Sequence, residues 1–121
     1  MNLAPDIRQQ DRPVLTVDFT DHIQRYGASD ATVSSCTVTC FLATASAPHG
    51  GASDPDYPDA AASTRATGSA TVSSPYASIT FGGGDGAGAV EGADYIVQFF
   101  ATASDGAKYT AQFRVPVRTY V

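Results

Sequence analysis

The two histidines are the residues of this chain best suited to acid–base chemistry. His22 follows Asp18 and Asp21 closely, and a carboxylate beside an imidazole can orient the ring for proton transfer. His49 stands in a stretch rich in proline and glycine. A hydrolytic site would also need a nucleophile, and no motif in the chain marks one. We therefore predict solvated loop histidines and no catalytic residues.

Three aspartates, Asp54, Asp56 and Asp59, are close enough in sequence to offer oxygen ligands to a calcium ion. Their spacing, interrupted by proline and tyrosine, matches no EF-hand loop. The glycine-rich stretch 82–88 lacks the Lys-Ser/Thr pair of a phosphate-binding loop and is typical of a turn with positive φ angles. We predict solvated loop acids, and neither a metal nor a cofactor.

Cys36 and Cys40 lie four residues apart in a β-prone run. Four residues of strand span about 13 Å, which is too far for a disulfide between the two sulfurs. The spacing also does not suit a zinc site without further ligands. We predict two reduced, buried thiols; the alternative is a bond to a neighbouring subunit.

Length and charge restrict the classes of function. The 121 residues fit one domain, and seven basic against twelve acidic residues leave a formal net charge of −5. Recognition of a phosphate backbone needs clustered Lys and Arg, so we predict no nucleic-acid partner. No apolar run reaches the length of a membrane helix, and residues 1–12 lack the apolar stretch of a signal peptide. We therefore expect synthesis in the cytoplasm and no membrane partner.

The last third of the chain predicts a β-hairpin. From Lys108 to Arg118, apolar residues at odd positions alternate with polar residues or proline, and the odd positions from Tyr95 to Ala101 share an apolar face. Asp105-Gly106 between the two runs is a strong turn signal, because glycine accepts the positive φ that a tight turn needs.

The rest of the chain has almost no helical periodicity and divides into short β-prone segments. We expect, in chain order, an extended arm at 1–12, a strand at 14–19, a loop or short helical turn at 21–30, a long strand at 31–45, a long loop at 46–64, weak β-structure at 65–73, a strand at 76–81 and a turn at 82–88. Short strands separated by turn signals predict an all-β fold, an antiparallel β-sandwich formed by residues 13–121.

The period-two pattern also predicts which side chains face the core. The expected inward set is Leu15, Val17, Phe19, Cys36, Val38, Ile79, Phe81, Tyr95, Val97, Phe99, Phe113 and Val115.

The stretch Glu91-Gly92-Ala93-Asp94-Tyr95-Ile96-Val97 resembles the strand entry of immunoglobulin-like domains. In that resemblance Tyr95 is the corner tyrosine, whose hydroxyl bonds to backbone upstream. Val97 stands where antibody domains place a cysteine, so the resemblance implies an immunoglobulin-like sandwich without the inter-sheet disulfide.

The order of motifs extends the resemblance over most of residues 12–119. The chain has, from its N-terminus, Asp18-Phe19-Thr20-Asp21-His22-Ile23 at the end of a strand, Ala31-Thr32-Val33-Ser34-Ser35, Ala70-Thr71-Val72-Ser73-Ser74, Ile79-Thr80-Phe81-Gly82-Gly83, and the Gly-Ala-Asp-Tyr strand with its hairpin. This order is similar to that of small immunoglobulin-like proteins of tailed bacteriophages, often described as fiber–tail adaptors.

The resemblance implies a virion structural protein that acts without catalysis. Its expected partners are other virion proteins of the tail, neck, fiber or capsid, contacted by many copies in a symmetric assembly, with the chain made in the host cytoplasm. Capsid-surface decoration and an immunoglobulin-like module for glycans or cell surfaces remain the alternatives.

The segments outside the patterned strands are the expected contact regions. Leu3, Pro5 and Ile7 give the arm an alternating apolar edge that could add as a strand to a neighbour's sheet. Arg8 in the arm and Tyr57 in the 46–64 loop complete the predicted interaction residues.

Overall fold

Two β-sheets packed face to face form the fold. The computed structural model describes residues 11–27, 30–43, 59–83 and 88–118, together with the backbone of residues 2–3. The larger sheet contains β1 (Asn2–Leu3), β3 (Val33–Ala43), β4 (Gly68–Ser69), β7 (Asp94–Ala103) and β8 (Lys108–Pro116), in the order β1-β8-β7-β3-β4. The smaller sheet contains β2 (Val14–Asp18), β5 (Thr71–Ser73) and β6 (Tyr76–Thr80), in the order β2-β6-β5. The predicted all-β sandwich is confirmed.

The predicted C-terminal hairpin is also confirmed. β7 and β8 pair antiparallel without a register shift, from Asp94 opposite Pro116 to Thr102 opposite Lys108. Gly106 has a φ of +86°, and the Ala107 N–H donates to the Asp105 carboxylate at 3.0 Å. The Asp-Gly pair therefore supplies both the turn's backbone geometry and a side-chain acceptor.

The core lies between the sheets and follows the alternation of the strands. Ten of the twelve side chains predicted to face inward are buried, and Ile79 and Phe113 are only partly buried but pack against the same cluster. Cys36 and Cys40 are buried free thiols on the inward face of β3, as predicted. Burial raises the pKa of the Cys40 thiol to about 12, so it behaves as a small apolar residue.

A short helix connects the two sheets. The region 21–30 was expected to hold a loop or a short helical turn, and α1 covers Thr20–Tyr26. It buries Ile23 against the core, and Asp18 accepts a hydrogen bond from the Thr20 N–H at 2.9 Å. Asp18 thus satisfies one of the backbone donors that every helix leaves free at its start.

Two predicted segments differ from the structure. The weak β-structure expected from residue 65 begins only at Gly68, because Arg65 and Ala66 are buried beside a 3-10 turn at Ala62–Thr64. The arm was expected to stand apart from the sandwich, but Asn2 and Leu3 pair in parallel with Phe113 and Arg114. The start of this segment is therefore the edge strand of the chain's own larger sheet.

Candidate interaction surfaces

The structure describes one of the five predicted interaction residues. The backbone of Leu3 belongs to β1 and pairs within the chain, and its addition to a neighbour's sheet stays a prediction. Pro5, Ile7, Arg8 and Tyr57 lie outside the described residues.

His22 lies on the helix α1, half-buried against aromatic rings, so the prediction of a solvated loop histidine is wrong for this residue. Its ring centroid is 5.2 Å from that of Phe19 and 5.6 Å from that of Tyr109, and Nδ1 is buried without a hydrogen-bond partner. The carboxylate of Asp18 accepts hydrogen bonds from the Thr20 hydroxyl and amide, which hold the pKa of Asp18 below its ordinary value. Asp18 therefore caps the helix and does not orient the imidazole. His49 lies outside the described residues.

Asp59 is buried in an ion pair, so the prediction of a solvated loop acid is wrong. Arg65 donates through Nε and Nη2 to the two carboxylate oxygens at 2.9 and 3.0 Å. The Tyr95 hydroxyl donates to the same carboxylate at 2.6 Å, and the Ala61 N–H donates to it at 3.0 Å. We call Asp59, Arg65 and Tyr95 the buried corner. Asp54 and Asp56, the other two candidate calcium ligands, lie outside the described residues.

The buried corner connects three parts of the chain that are distant in sequence. Arg65 also donates to the Gly83 carbonyl at 3.0 Å, and its own carbonyl accepts from the Gly82 N–H at 2.9 Å. Gly82 has a φ of +106°, a conformation that favours glycine. The ion pair thereby fixes the end of the long loop and the glycine turn against β7.

Tyr95 makes the backbone bond expected of a corner tyrosine. Its hydroxyl accepts from the Val90 N–H at 2.9 Å while it donates to Asp59. Burial and the neighbouring Asp59 carboxylate raise the pKa of Tyr95 well above its ordinary value, so the hydroxyl keeps its proton. The contact with Asp59 had no signal in the sequence, because the two residues are 36 positions apart.

We call the solvent side of β3, β7 and β8 the outward face. Its centre is uncharged and contains Thr37, Thr39, Gln98, Phe100, Thr110 and Gln112. Phe100 is 39% exposed between Thr37 and Thr110, and the Gln98 amide donates to Gln112 at 2.7 Å. The face therefore presents an aromatic ring among amide and hydroxyl groups.

One end of the outward face carries a charged pair. Arg114 donates to the Asp94 carboxylate at the surface. Ile96, two residues after Asp94 on β7, is 3% exposed although it does not belong to the core between the sheets. The aliphatic stem of an arginine can cover apolar surface while its head stays in water, and Arg114 stands directly opposite Ile96.

The solvent side of the smaller sheet has a different composition. It consists of small hydroxyl side chains around Thr16 and Ser78, whose hydroxyls are 3.0 Å apart. Tyr76 and Val14 are its exposed large side chains, at 47% and 63%. A shallow pocket also lies on the solvent side of α1, lined by Asp21, His22, Arg25 and the 70% exposed Tyr26.

Comparisons with known proteins give no assignment. No protein-family model matches the chain, and no curated protein or solved structure is similar to it. Within the described ranges, no group of three His, Cys, Asp or Glu side chains is placed to hold a metal ion. No helix in the described part of the chain is long and apolar enough to span a bilayer.

Proposed function

We propose that this chain is a non-enzymatic structural protein of a tailed-bacteriophage virion, an immunoglobulin-like adaptor that joins tail or neck components such as fibers to the particle. It acts by binding neighbouring virion subunits, and it is present in many copies. The proposal starts from the resemblance of its motifs and is supported by three features of the structure.

The strand order supports the immunoglobulin-like part of the proposal. Immunoglobulin sandwiches place their second, fifth and fourth strands in one sheet and their third, sixth and seventh in the other. Here β2-β6-β5 and β3-β7-β8 follow that order, with β4 as an added strand beside β3. The Tyr95 hydroxyl bond to Val90 is the second supporting feature.

The outward face carries the assembly part of the proposal. Interface centres between proteins are depleted of charged residues and enriched in aromatic ones. The centre of the outward face contains no charge and presents Phe100, whereas the exposed ring of the smaller sheet, Tyr76, stands at the strand end opposite the charged Asp18. We therefore assign the outward face as the surface that contacts a neighbouring virion subunit.

Mass spectrometry of purified particles tests the proposal directly. We expect the chain among the virion proteins. Replacing Phe100 by Ser should reduce its incorporation at least tenfold, because aromatic anchors at interface centres dominate binding. The matched control is Tyr76→Ser on the smaller sheet, which should be incorporated normally. Absence of the chain from particles, or equal incorporation of both variants, contradicts the proposal.

A glycan-binding module is the second candidate function, favoured by the pocket on α1. Tyr26 offers an exposed ring for stacking, and Asp21 and Arg25 stand one helical turn apart beside it. Titration with host-surface glycans, followed by amide NMR shifts, distinguishes the two functions. Shifts confined to α1 and abolished by Tyr26→Ala would favour this second function.

A further inference from the structure

Two strands of the sandwich, β2 and β8, have edges that no described strand pairs along most of their length. β2 is the outermost strand of the smaller sheet, and β8 is covered by β1 only opposite Phe113 and Arg114. A parallel bridge centred on Phe113 uses the C=O of residue 112 and the N–H of residue 114, so the edges left open by the described strands are Val14–Asp18 and residues 108–111. Such edges present backbone donors and acceptors that can pair with another chain.

Hydrogen bonds at the strand ends determine which backbone groups point outward. In β8, the Val117 N–H donates to the Ala93 carbonyl, and the Ala107 carbonyl accepts from the Ala103 N–H. The odd positions of β8 therefore form the backbone hydrogen bonds with β7. The even positions 108 and 110 therefore direct their N–H and C=O groups to the open edge, whereas the C=O of residue 112 faces Asn2 of β1. In β2, the Pro13 carbonyl accepts from the Phe81 N–H, and the Phe19 N–H donates to the Pro75 carbonyl. The odd positions therefore bond β6, and the backbone groups of positions 14, 16 and 18 point to the open edge.

The two edges have complementary sequences in one antiparallel register. With Thr110 opposite Thr16 of a second copy, Lys108 lies opposite Asp18 and Gln112 lies opposite Val14. This register joins opposite charges and two threonines, pairs that stabilise antiparallel strands. Directly opposed residues of an antiparallel ladder point to the same side of the sheet, and these positions face solvent in their own sheets, so the two apolar faces continue into each other.

The two edges also lie on the same side of the molecule. The Phe19 ring at the end of β2 stacks on the Tyr109 ring at the start of β8, with centroids 6.3 Å apart. β2 runs toward this end of the molecule and β8 runs away from it. A twofold axis parallel to the strands therefore places β2 of one copy beside β8 of its partner, and β8 beside the partner's β2, with both pairs antiparallel. A closed dimer then contains the pairing twice.

We propose that a second copy of this chain pairs edge to edge through β2 and β8, forming a twofold dimer with two continuous sheets. The contact is small, so its affinity belongs to the transient class of interfaces that bury less than about 1,200 Å². This dimer names one partner for the proposed assembly function. Its biological role rests on that function, but the pairing itself does not.

Cysteine trapping tests the register. In the variant with both Thr16→Cys and Thr110→Cys, the Cα atoms of the two paired cysteines lie about 5.5 Å apart. A disulfide can bridge this distance. The native Cys36 and Cys40 are buried, so they should not compete. Under mild oxidation we expect a covalent dimer with the double variant and little with either single variant. A double variant that stays monomeric overturns the proposal.

Sedimentation equilibrium of the untagged chain up to about 1 mM tests the dimer without a cross-link. Thr110→Pro removes an outward N–H that the hairpin does not use, so it should keep the fold and abolish dimerisation, whereas Thr110→Val should dimerise normally. Lys108→Glu should weaken the dimer about threefold to thirtyfold, since two exposed ion pairs are lost, and Asp18→Asn, which keeps an acceptor for the Thr20 N–H, should also weaken it. Circular dichroism confirms that each variant is folded.

The outcomes separate this pairing from the proposed function. A wild-type monomer at every concentration, with normal incorporation into particles, removes the dimer and leaves the adaptor function. A dimer that is absent from particles removes the adaptor function and leaves the pairing.

Discussion

Two Asp–Arg ion pairs of the same composition occupy opposite environments in this molecule. In the buried corner the side chains of Arg65 and Asp59 are 2% and 4% exposed, whereas on the outward face those of Arg114 and Asp94 are 52% and 19% exposed. The buried pair needs every oxygen and N–H matched, because desolvated charges are costly when left alone. In the surface pair the Arg114 head stays half in water, so its solvation depends little on Asp94, although one oxygen of that carboxylate is itself buried. The same chemistry therefore holds the fold together in one region and shapes a surface in the other.

Removing the arginine from each pair should give the largest contrast. Arg65→Ala leaves the Asp59 carboxylate buried without its cation, and we expect a loss of about 3–5 kcal/mol in the free energy of unfolding. Arg114→Ala should cost about 1 kcal/mol or less. Urea unfolding at neutral pH measures both. Equal losses for the two variants would show that burial does not distinguish the pairs.

Adjacent phenylalanines on β7 extend the contrast to apolar side chains. Phe99 is fully buried and lies 5.9 Å from the Phe113 ring, whereas Phe100 is 39% exposed on the outward face. Phe99→Ala should destabilise by about 3–5 kcal/mol through the cavity it leaves. Phe100→Ala should change stability by less than about 1 kcal/mol. A thermal melt of Phe99→Ala that matches the parent would contradict the inward assignment.

Two buried tyrosines allow the hydroxyl in the corner to be tested with an internal control. Tyr95→Phe leaves the Val90 N–H and an Asp59 oxygen without a partner, and should cost about 1–3 kcal/mol. The Tyr109 hydroxyl is also buried but has no hydrogen-bond partner among the described residues. Tyr109→Phe should therefore be neutral or slightly stabilising in the same unfolding experiment. A loss as large as that of Tyr95→Phe would show that the Tyr109 hydroxyl is bonded.

The free energy of unfolding at acid pH should depend on the ionisation of Asp59 in the buried corner. Burial by itself raises the pKa of Asp59, but hydrogen bonds from Arg65, Tyr95 and the Ala61 N–H outweigh it and hold the pKa below its ordinary value. A carboxylate with a lowered pKa in the folded protein stabilises the fold at any pH above its pKa in the unfolded chain, about 3.9. This stabilisation is lost as the pH falls through the pKa in the folded protein.

Asp59→Asn should consequently lower stability at neutral pH and flatten its dependence on pH between roughly pH 5 and pH 2. Unfolding free energies measured along this range check the expectation. An unchanged slope in the variant would mean that the pKa of Asp59 is the same in the folded and the unfolded protein.

Local alternation explains why so much of the sandwich was predictable. Period-two patterns around Leu15, Cys36, Phe99 and Val115 identify the inward faces from neighbouring residues alone. The turn at Asp105-Gly106 depends on two adjacent residues, and the reduced state of the cysteines depends on strand length. Each of these inferences uses a few consecutive positions, and each is confirmed.

The buried corner had no comparable signal. Asp59 and Arg65 lie in a stretch without periodicity, where a charged residue is usually solvated. Their partner Tyr95 is distant in sequence, so the pair is formed only when the glycine turn and β7 close around it. The pairing of Leu3 with β8 was missed for the same reason, because a two-residue strand has no period to recognise.

The sequence by itself determined the fold class, the terminal hairpin and the division of its strands into an apolar and a polar side. These properties follow from backbone geometry that repeats every two residues. Only the tertiary structure decided which Asp–Arg pair is buried, which edges the described strands leave unpaired and which aromatic ring stays at the surface. Those properties depend on contacts between segments far apart in the chain, and no local pattern encodes where such segments meet.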